Sequence, residues 1–296
     1  MRLAVPVVKY PLDSPIIGEF AHIIAHRYST SASLELLAEK LRPCKKPIVL
    51  DFATGAPEDE EFKSFKDRVL DTLAVLRNTG KEDLYCIIPG YADSSLLSFF
   101  NCSRKDYANL LFKLKQFSCK KFIAIYGSSL QQILDMYVDA GSYGDGIAIT
   151  LSSCSQLDLK VTERFSQLKY RQLLFETLQI SGELTSNLPI ILAGLIDPFE
   201  LELYVKQKLN LTSYLWGVQT IYPLTAAFVN IDFEDVYMQY SLQDHNDLMK
   251  ALTKKSRADW EFEENGSGFL TEDMWILAEK NLNTMKERLI KIEEAN

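Results

Sequence analysis

Short apolar runs recur along this chain at near-even spacing, separated by stretches of helical period, and that alternation limits the fold more than any other feature. The runs are 3–8 (LAVPVV), 48–53 (IVLDFA), 84–89 (LYCIIP), 121–126 (KFIAIY), 146–151 (GIAITL), 189–194 (PIILAG) and 214–219 (YLWGVQ). They are rich in Ile, Val, Leu and Tyr and lack clean apolar–polar alternation. Strands buried on both faces read this way, as in parallel sheets. Between them, Phe62, Phe65, Val69, Leu73 and Leu76 fall on one helical face, as do Leu110, Leu111, Leu114 and Phe117. Ser103 suits the N-cap of the latter helix, with Asp106 at its third position. Asp197 followed by Pro198 has the cap-then-proline start of another.

Repeated strand–helix units exclude a sandwich and favour a closed (β/α)8 barrel of the TIM type over an open sheet. The eighth strand is expected at 226–233 (AAFVNIDF), in an irregular last unit. Residues 1–296 then form one domain, with 234–296 as an acidic C-terminal extension packed on the barrel. In that extension WEFEENGSG reads as loop. Residues 271–293 read as a closing helix opened by Thr271, with Met274, Leu277, Leu282, Met285 and Leu289 inward. The segment IIGEFAHIIAHRY (16–28) reads as a helix that sets His22 and His26 four apart on one face.

Composition bounds the setting. Apolar residues make up 47% of 296, enough for a large core. No run approaches the roughly eighteen apolar residues that a membrane span needs. Five cysteines, odd in number and without a CxxC pair, suit a reducing cytoplasm and argue against a cysteine zinc site. The net charge of −8 repels phosphate. Nucleic-acid binding would therefore need a local basic patch, for which Lys40, Arg42, Lys45 and Lys46, or Lys113, Lys115, Lys120 and Lys121, or Lys254, Lys255 and Arg257, are candidates.

In a barrel the reactive groups lie where strands end at their C-terminal side. Those positions hold Asp51; Pro89, Gly90, Tyr91 and Asp93; Tyr126 and Gly127; Gly194 and Asp197; and Gln219, Thr220 and Tyr222. Asp51, Asp93 and Asp197 are the candidate acids and bases, because neighbouring buried carboxylates shift each other's proton affinity. Tyr91, Tyr126, Tyr222 and Trp216 with Gln219 would suit a flat heteroaromatic ring. No phosphate loop, nucleophile triad or metal-ligand set stands out, so neither cofactor nor metal is expected.

Several segments, in order over residues 14–233, resemble the tRNA-guanine transglycosylase superfamily, above all its phage-borne branch that puts 7-deazaguanines into DNA. IVLDFATGAPE resembles the strand whose Asp lies in the base pocket, a place that falls to Asp51. CIIPGYAD resembles the next strand, with Gly90 where the family has Asp and Asp93 as a stand-in. FIAIYGSS resembles the strand ending Gln-Gly, with Tyr126 for the Gln and Gly127 kept. ILAGLIDPFELELY matches best, through Gly194, Pro198, Glu200 and Tyr204. WGVQTIYP resembles the segment of the nucleophilic Asp, keeping Thr220 and Pro223 but placing Gln219 where the Asp belongs. An amide cannot attack a ribose carbon, so the resemblance implies a relocated nucleophile at Asp197 or Asp93, or a non-catalytic relative.

Three readings stay open. One is a transglycosylase-like barrel that exchanges a guanine or 7-deazaguanine base, with nucleic acid or free nucleobase as its partner. The second is a non-catalytic subunit that binds a base or a partner chain, in a homo- or hetero-oligomer. The third is an unrelated barrel enzyme that works on a small molecule.

Overall fold

The computed structural model describes residues 2–4, 20–25, 30–53, 61–77, 79–80, 83–91, 102–125, 130–149, 188–195 and 211–216, together with 283, 287, 290, 291 and 294. Twelve elements fall in these ranges: β1 Arg2–Ala4, β2 Ala21–Ile24, α1 Ser31–Leu41, β3 Ile48–Asp51, α2 Phe62–Arg77, β4 Leu84–Pro89, α3 Arg104–Leu114, β5 Lys120–Ala124, α4 Leu130–Tyr143, β6 Gly146–Ile149, β7 Ile190–Leu195 and β8 Leu211–Trp216. The strands form one eight-stranded sheet in the order β1-β8-β7-β6-β5-β4-β3-β2. Every pairing is parallel. Arg2, Leu3 and Ala4 lie opposite Ser213, Tyr214 and Leu215, so the first strand is laid against the last. That is the cyclic order of a (β/α)8 barrel, and the chain adopts this fold.

The strand interiors explain why the sheet must be covered on both sides. All residues of β3, β4 and β6 are buried. One face carries Val49, Ala53, Tyr85, Ile87, Phe122, Ala124, Ala148 and Ile191, packed with Phe20 into a single cluster that fills the barrel. The alternate positions, Leu50, Cys86, Ile88, Ile123 and Ile147, are equally buried and meet the helices. Toward the N-terminal ends of the strands the inner face is aromatic. Phe20 meets Tyr85 edge-on at 5.3 Å, and Tyr85 lies 6.0 Å from Phe122.

One helix start was expected from the sequence, and another is seen in the structure. Ser103 caps α3, its hydroxyl oxygen accepting from the Asp106 N–H at 3.2 Å. Thr30 opens α1 with a capping box, in which the Ser33 N–H donates to its side chain and the Thr30 N–H donates to Ser33. Phe65, Val69, Leu73 and Leu76 line the buried face of α2.

One element departs from the sequence reading. Residues 21–24, expected within a helix, form strand β2, paired with β3 from Ala21–Ile48 to Ile24–Asp51. Ala21, His22 and Ile23 are all buried, so the run looks continuous and a short stretch fits either period. His22 therefore sits on a strand rather than on a helix face, and His26 lies outside the described residues. With β2 included, the described strands already number eight. The expected strand at 226–233 lies outside the described residues, as does the Asp197–Pro198 helix start. Residues 283, 287, 290, 291 and 294, where the closing helix was expected, are helical and exposed.

Gly90 shows why one resemblance position departs from its family. Its N–H donates to the Ala124 carbonyl at 3.0 Å. A Cβ there would run into that same carbonyl and come within 2.8 Å of Met136 Sδ. No larger residue fits between β4 and β5 at this point without a backbone shift. Gly90→Ala is expected to lower unfolding free energy by about 1–3 kcal/mol. The measurement is urea denaturation, where the midpoint should fall with an unchanged slope.

α3 and α4 are tied by Arg104, which reaches the Asp139 carboxylate at 3.1 Å. Burial pushes the Asp139 carboxyl above its ordinary value, against the pull of Arg104, and Asp135 adds to the rise. A folded-state value above the unfolded one means that the native form holds the extra proton. Stability from this group is then greatest at low pH and is lost as pH climbs from the unfolded toward the folded value. The stability of the wild type relative to Asp139→Asn should accordingly fall across that window in denaturation series at stepped pH. A rising difference would show that the Arg104 attraction outweighs burial.

Candidate active site

Asp51 is the last residue of β3, paired with Ile24 on one side and Ile87 on the other. It shares strand parity with Val49 and Ala53, both members of the inner cluster, so its carboxylate projects into the barrel rather than toward the helices. One oxygen accepts the Ala53 N–H at 2.9 Å, a local turn that fixes the carboxylate. The other lies 3.1 Å from His22 Nε2. His22 comes from the neighbouring strand, opposite Val49, and shares parity with Phe20 of the inner cluster. Both side chains are essentially fully buried, at 1% and 0% exposure.

The other imidazole nitrogen, His22 Nδ1, is buried and has no hydrogen-bond partner among the described residues. In the tautomer that carries its proton on Nε2, the ring donates to the carboxylate and presents the Nδ1 lone pair. An unpaired buried polar atom costs about 1–3 kcal/mol. Around the pair the inner residues nearest the C-terminal side are small: Ala53 after β3, Ala124 at the end of β5 and Ala148 in β6. The aromatic cluster of Phe20, Tyr85 and Phe122 lies toward the opposite end of the strands.

The other expected site residues divide as follows. Gly194 lies in β7 at a shift of register against β8, between Ala193, opposite Leu215, and Leu195, opposite Trp216. A glycine at such an irregularity is the ordinary device for bending a strand. Asp93, Tyr126, Gly127, Asp197, Gln219, Thr220 and Tyr222 lie outside the described residues. Tyr91 stacks on Tyr107 of α3, with ring centres 5.5 Å apart. Its hydroxyl donates to the Cys102 carbonyl at 3.3 Å. The aromatic pocket expected around it cannot be assembled from the described residues, because Tyr126 and Tyr222 lie outside them. Tyr107 in turn donates to the Pro89 carbonyl at 2.6 Å.

Sequence reasoning set His22 aside as a helix-surface residue, whereas it is the direct partner of Asp51. The available signal was the alternation of Phe20, His22 and Ile24. Among the described residues no three His, Cys, Asp or Glu side chains converge as a metal set. A groove of about 670 Å³ lies between α2 and α3, bordered by Lys63, Lys66, Asp106, Asn109 and Lys113. All of these belong to the outer helices, so the groove is separate from the barrel interior.

No protein-family model matches the chain, and no curated protein matches its sequence. Among solved structures it is similar to a D-tagatose 3-epimerase-like protein, at 9% identity and a TM-score of 0.46, covering 86% of this chain and 99% of that one. It is also similar to a monomeric dihydrodipicolinate synthase variant, at 10% identity and a TM-score of 0.45, covering 96% of each chain. A fructose-1,6-biphosphate aldolase described as putative, from Coccidioides immitis, aligns at 13% identity and a TM-score of 0.37, covering 98% and 92%. The barrel assignment rests on the strand order and not on these distant likenesses.

The pair can be tested thermodynamically. Removing one member of a buried, hydrogen-bonded pair costs about 1–3 kcal/mol, because the other is left unsatisfied. His22→Ala and Asp51→Ala should each destabilise by that order, and the double variant by clearly less than their sum. Additive losses in a denaturation cycle would mean that the two side chains do not act as a unit.

Proposed function

We propose that the chain is a barrel enzyme acting on a small molecule by proton transfer. His22 is its general base, and Asp51 is the carboxylate that orients the imidazole and stabilises its protonated form. The observation that carries this reading is the buried Nδ1 of His22, without a partner among the described residues, beside Asp51 at a strand's C-terminal end. A base whose far nitrogen is held by a carboxylate and whose near nitrogen is open is arranged to take a proton from a bound molecule. The net charge of −8 favours a small substrate over a polyanion.

The transglycosylase-like reading is the second proposal, and it shares Asp51. In it a guanine or 7-deazaguanine base would be exchanged, with Asp51 activating the incoming base and Asp197 or Asp93 as nucleophile. Asp51 facing the barrel interior at the end of β3 favours it. The pairing with His22 gives that carboxylate a different immediate partner from the substrate base. A binding subunit without catalysis is the remaining alternative, and the near-complete burial of both side chains fits it.

One panel separates the three. The protein is incubated in deuterated water with hydroxy acids, keto acids and sugars, and in parallel with single-stranded DNA or RNA and labelled guanine. The first reading expects solvent deuterium at a carbon beside a carbonyl, with His22→Gln and Asp51→Asn lowering the rate about 10²–10⁴-fold. Label entering nucleic acid, dependent on Asp51 but not on His22, would replace it with the second. Binding without either reaction, in a protein shown to be folded, would favour the binding subunit.

A further inference from the structure

A second reactive cluster lies on the opposite side of the sheet, under the helices. Cys86 is the third residue of β4 and lies opposite Lys121 of β5. Cys119 directly precedes β5. Because Phe122 and Ala124 face the barrel interior, Lys121 and Cys119 share the outer parity, as does Cys86 between the inward Tyr85 and Ile87. The two thiols are therefore diagonal neighbours on one face, near enough that each shifts the other's proton affinity. Lys121 closes the cluster. Its ammonium donates to the Cys119 carbonyl at 2.6 Å and stands 3.7 Å from the Asp145 carboxylate. The Asp145 carboxylate also accepts the Lys121 N–H at 2.7 Å.

The groups differ in access and character. Cys86 is fully buried, while Cys119 is 7% exposed. The neighbouring Cys86 thiol, aided by Lys121, pulls the Cys119 thiol below its ordinary range, against burial and Asp145. Burial, the Cys119 contact and the Cys119 charge push the Cys86 thiol well up, with Lys121 opposing. Cys102, more exposed than either, is pushed up to about 11 by burial and Asp106. Thiolate character sets reactivity toward oxidants, so the more exposed cysteine is here the less reactive one.

We propose that Cys119 and Cys86 form an oxidant-sensitive dithiol, a peroxide-modification site separate from the His22–Asp51 pair. Cys119 sulfur, as thiolate, attacks one oxygen of a hydroperoxide. The O–O bond breaks, the leaving oxygen takes a proton and departs as water or an alcohol, and Cys119 becomes a sulfenic acid. The Cys86 thiol then attacks that sulfur, forming the S–S bond and releasing the sulfenic oxygen as water. Two thiols lose two electrons to one peroxide bond. Cys119 stands just outside the β4–β5 ladder, which begins with Tyr85 opposite Lys120, so it has no cross-strand backbone pair. Closing a disulfide would draw Cys119 toward Cys86 from this position outside the ladder, because the bond needs their Cα atoms within about 7 Å. The bond would cross-link adjacent strands in the outer layer and would yield to a thiol reductant.

The test is hydrogen peroxide titration of the full chain, followed by alkylation of free thiols and peptide mass mapping. The expected product is a Cys86–Cys119 linked peptide, lighter by two hydrogens, that disappears on reduction, with Cys102 still open to alkylation at the same dose. In Cys86→Ala, a sulfenic-acid probe such as dimedone should label Cys119 several-fold more than in the wild type. If that variant does not fold, the wild-type map decides alone. Oxidation of Cys102 ahead of Cys119, or passage of Cys119 to sulfinic acid with no link to Cys86, would overturn the proposal.

Discussion

Burial of the strands on both faces is the constraint from which the rest of this molecule follows. A parallel strand covered by helices on one side and by a barrel interior on the other has no position where a polar group meets water. β3 and β4 show it in full, with every residue buried from Ile48 to Asp51 and from Leu84 to Pro89. Any ionisable group on such a strand must find its partner inside the protein. Asp51 finds the Ala53 N–H and His22, and Cys86 finds Cys119. The two clusters lie on opposite faces of one sheet, separated by a single layer of backbone.

The same constraint decided what could be read in the sequence. β3, β4 and β6 announce themselves because each is a short β-branched run between breakers, and α2 and α3 because their buried residues repeat at helical spacing. The Ser103 cap was legible because its chemistry is local. β2 was not, since Phe20, Ala21, His22, Ile23 and Ile24 form an unbroken run that admits a strand or a helix. The evidence against the helix lay on either side. Pro15 and Gly18 weaken it before, and Thr30 with Ser33 starts a separate helix after. Read as a helix, the segment put His22 four residues from His26. Read as a strand, it puts His22 against Asp51. The partner of the best candidate acid was thus lost through one wrong period, while Asp51 itself was found from its place at a strand end.

Gly90 bears on the resemblance in the same physical way. The transglycosylase pattern wants a carboxylate there, and the space between the Ala124 carbonyl and Met136 admits no Cβ. The departure is built into the packing of β4 against β5 and α4, so no side-chain rotation restores the family's residue at that point. Beside it, Tyr91 sets its ring on Tyr107 of α3.

The His22–Asp51 pair is hard to account for as scaffolding alone. Replacing a buried ion pair by apolar residues of similar volume is often neutral or stabilising, whereas a half-satisfied one is a standing cost. Val49, Ile87 and Ala124 show that this interior packs well without polar groups. A purely structural histidine would also satisfy both of its nitrogens, as buried polar atoms do in the great majority of cases. His22 satisfies one, and the other is buried in the barrel without a partner among the described residues. In the proposed function that partner is the bound molecule, because a lone pair backed by a carboxylate is well arranged to receive a proton.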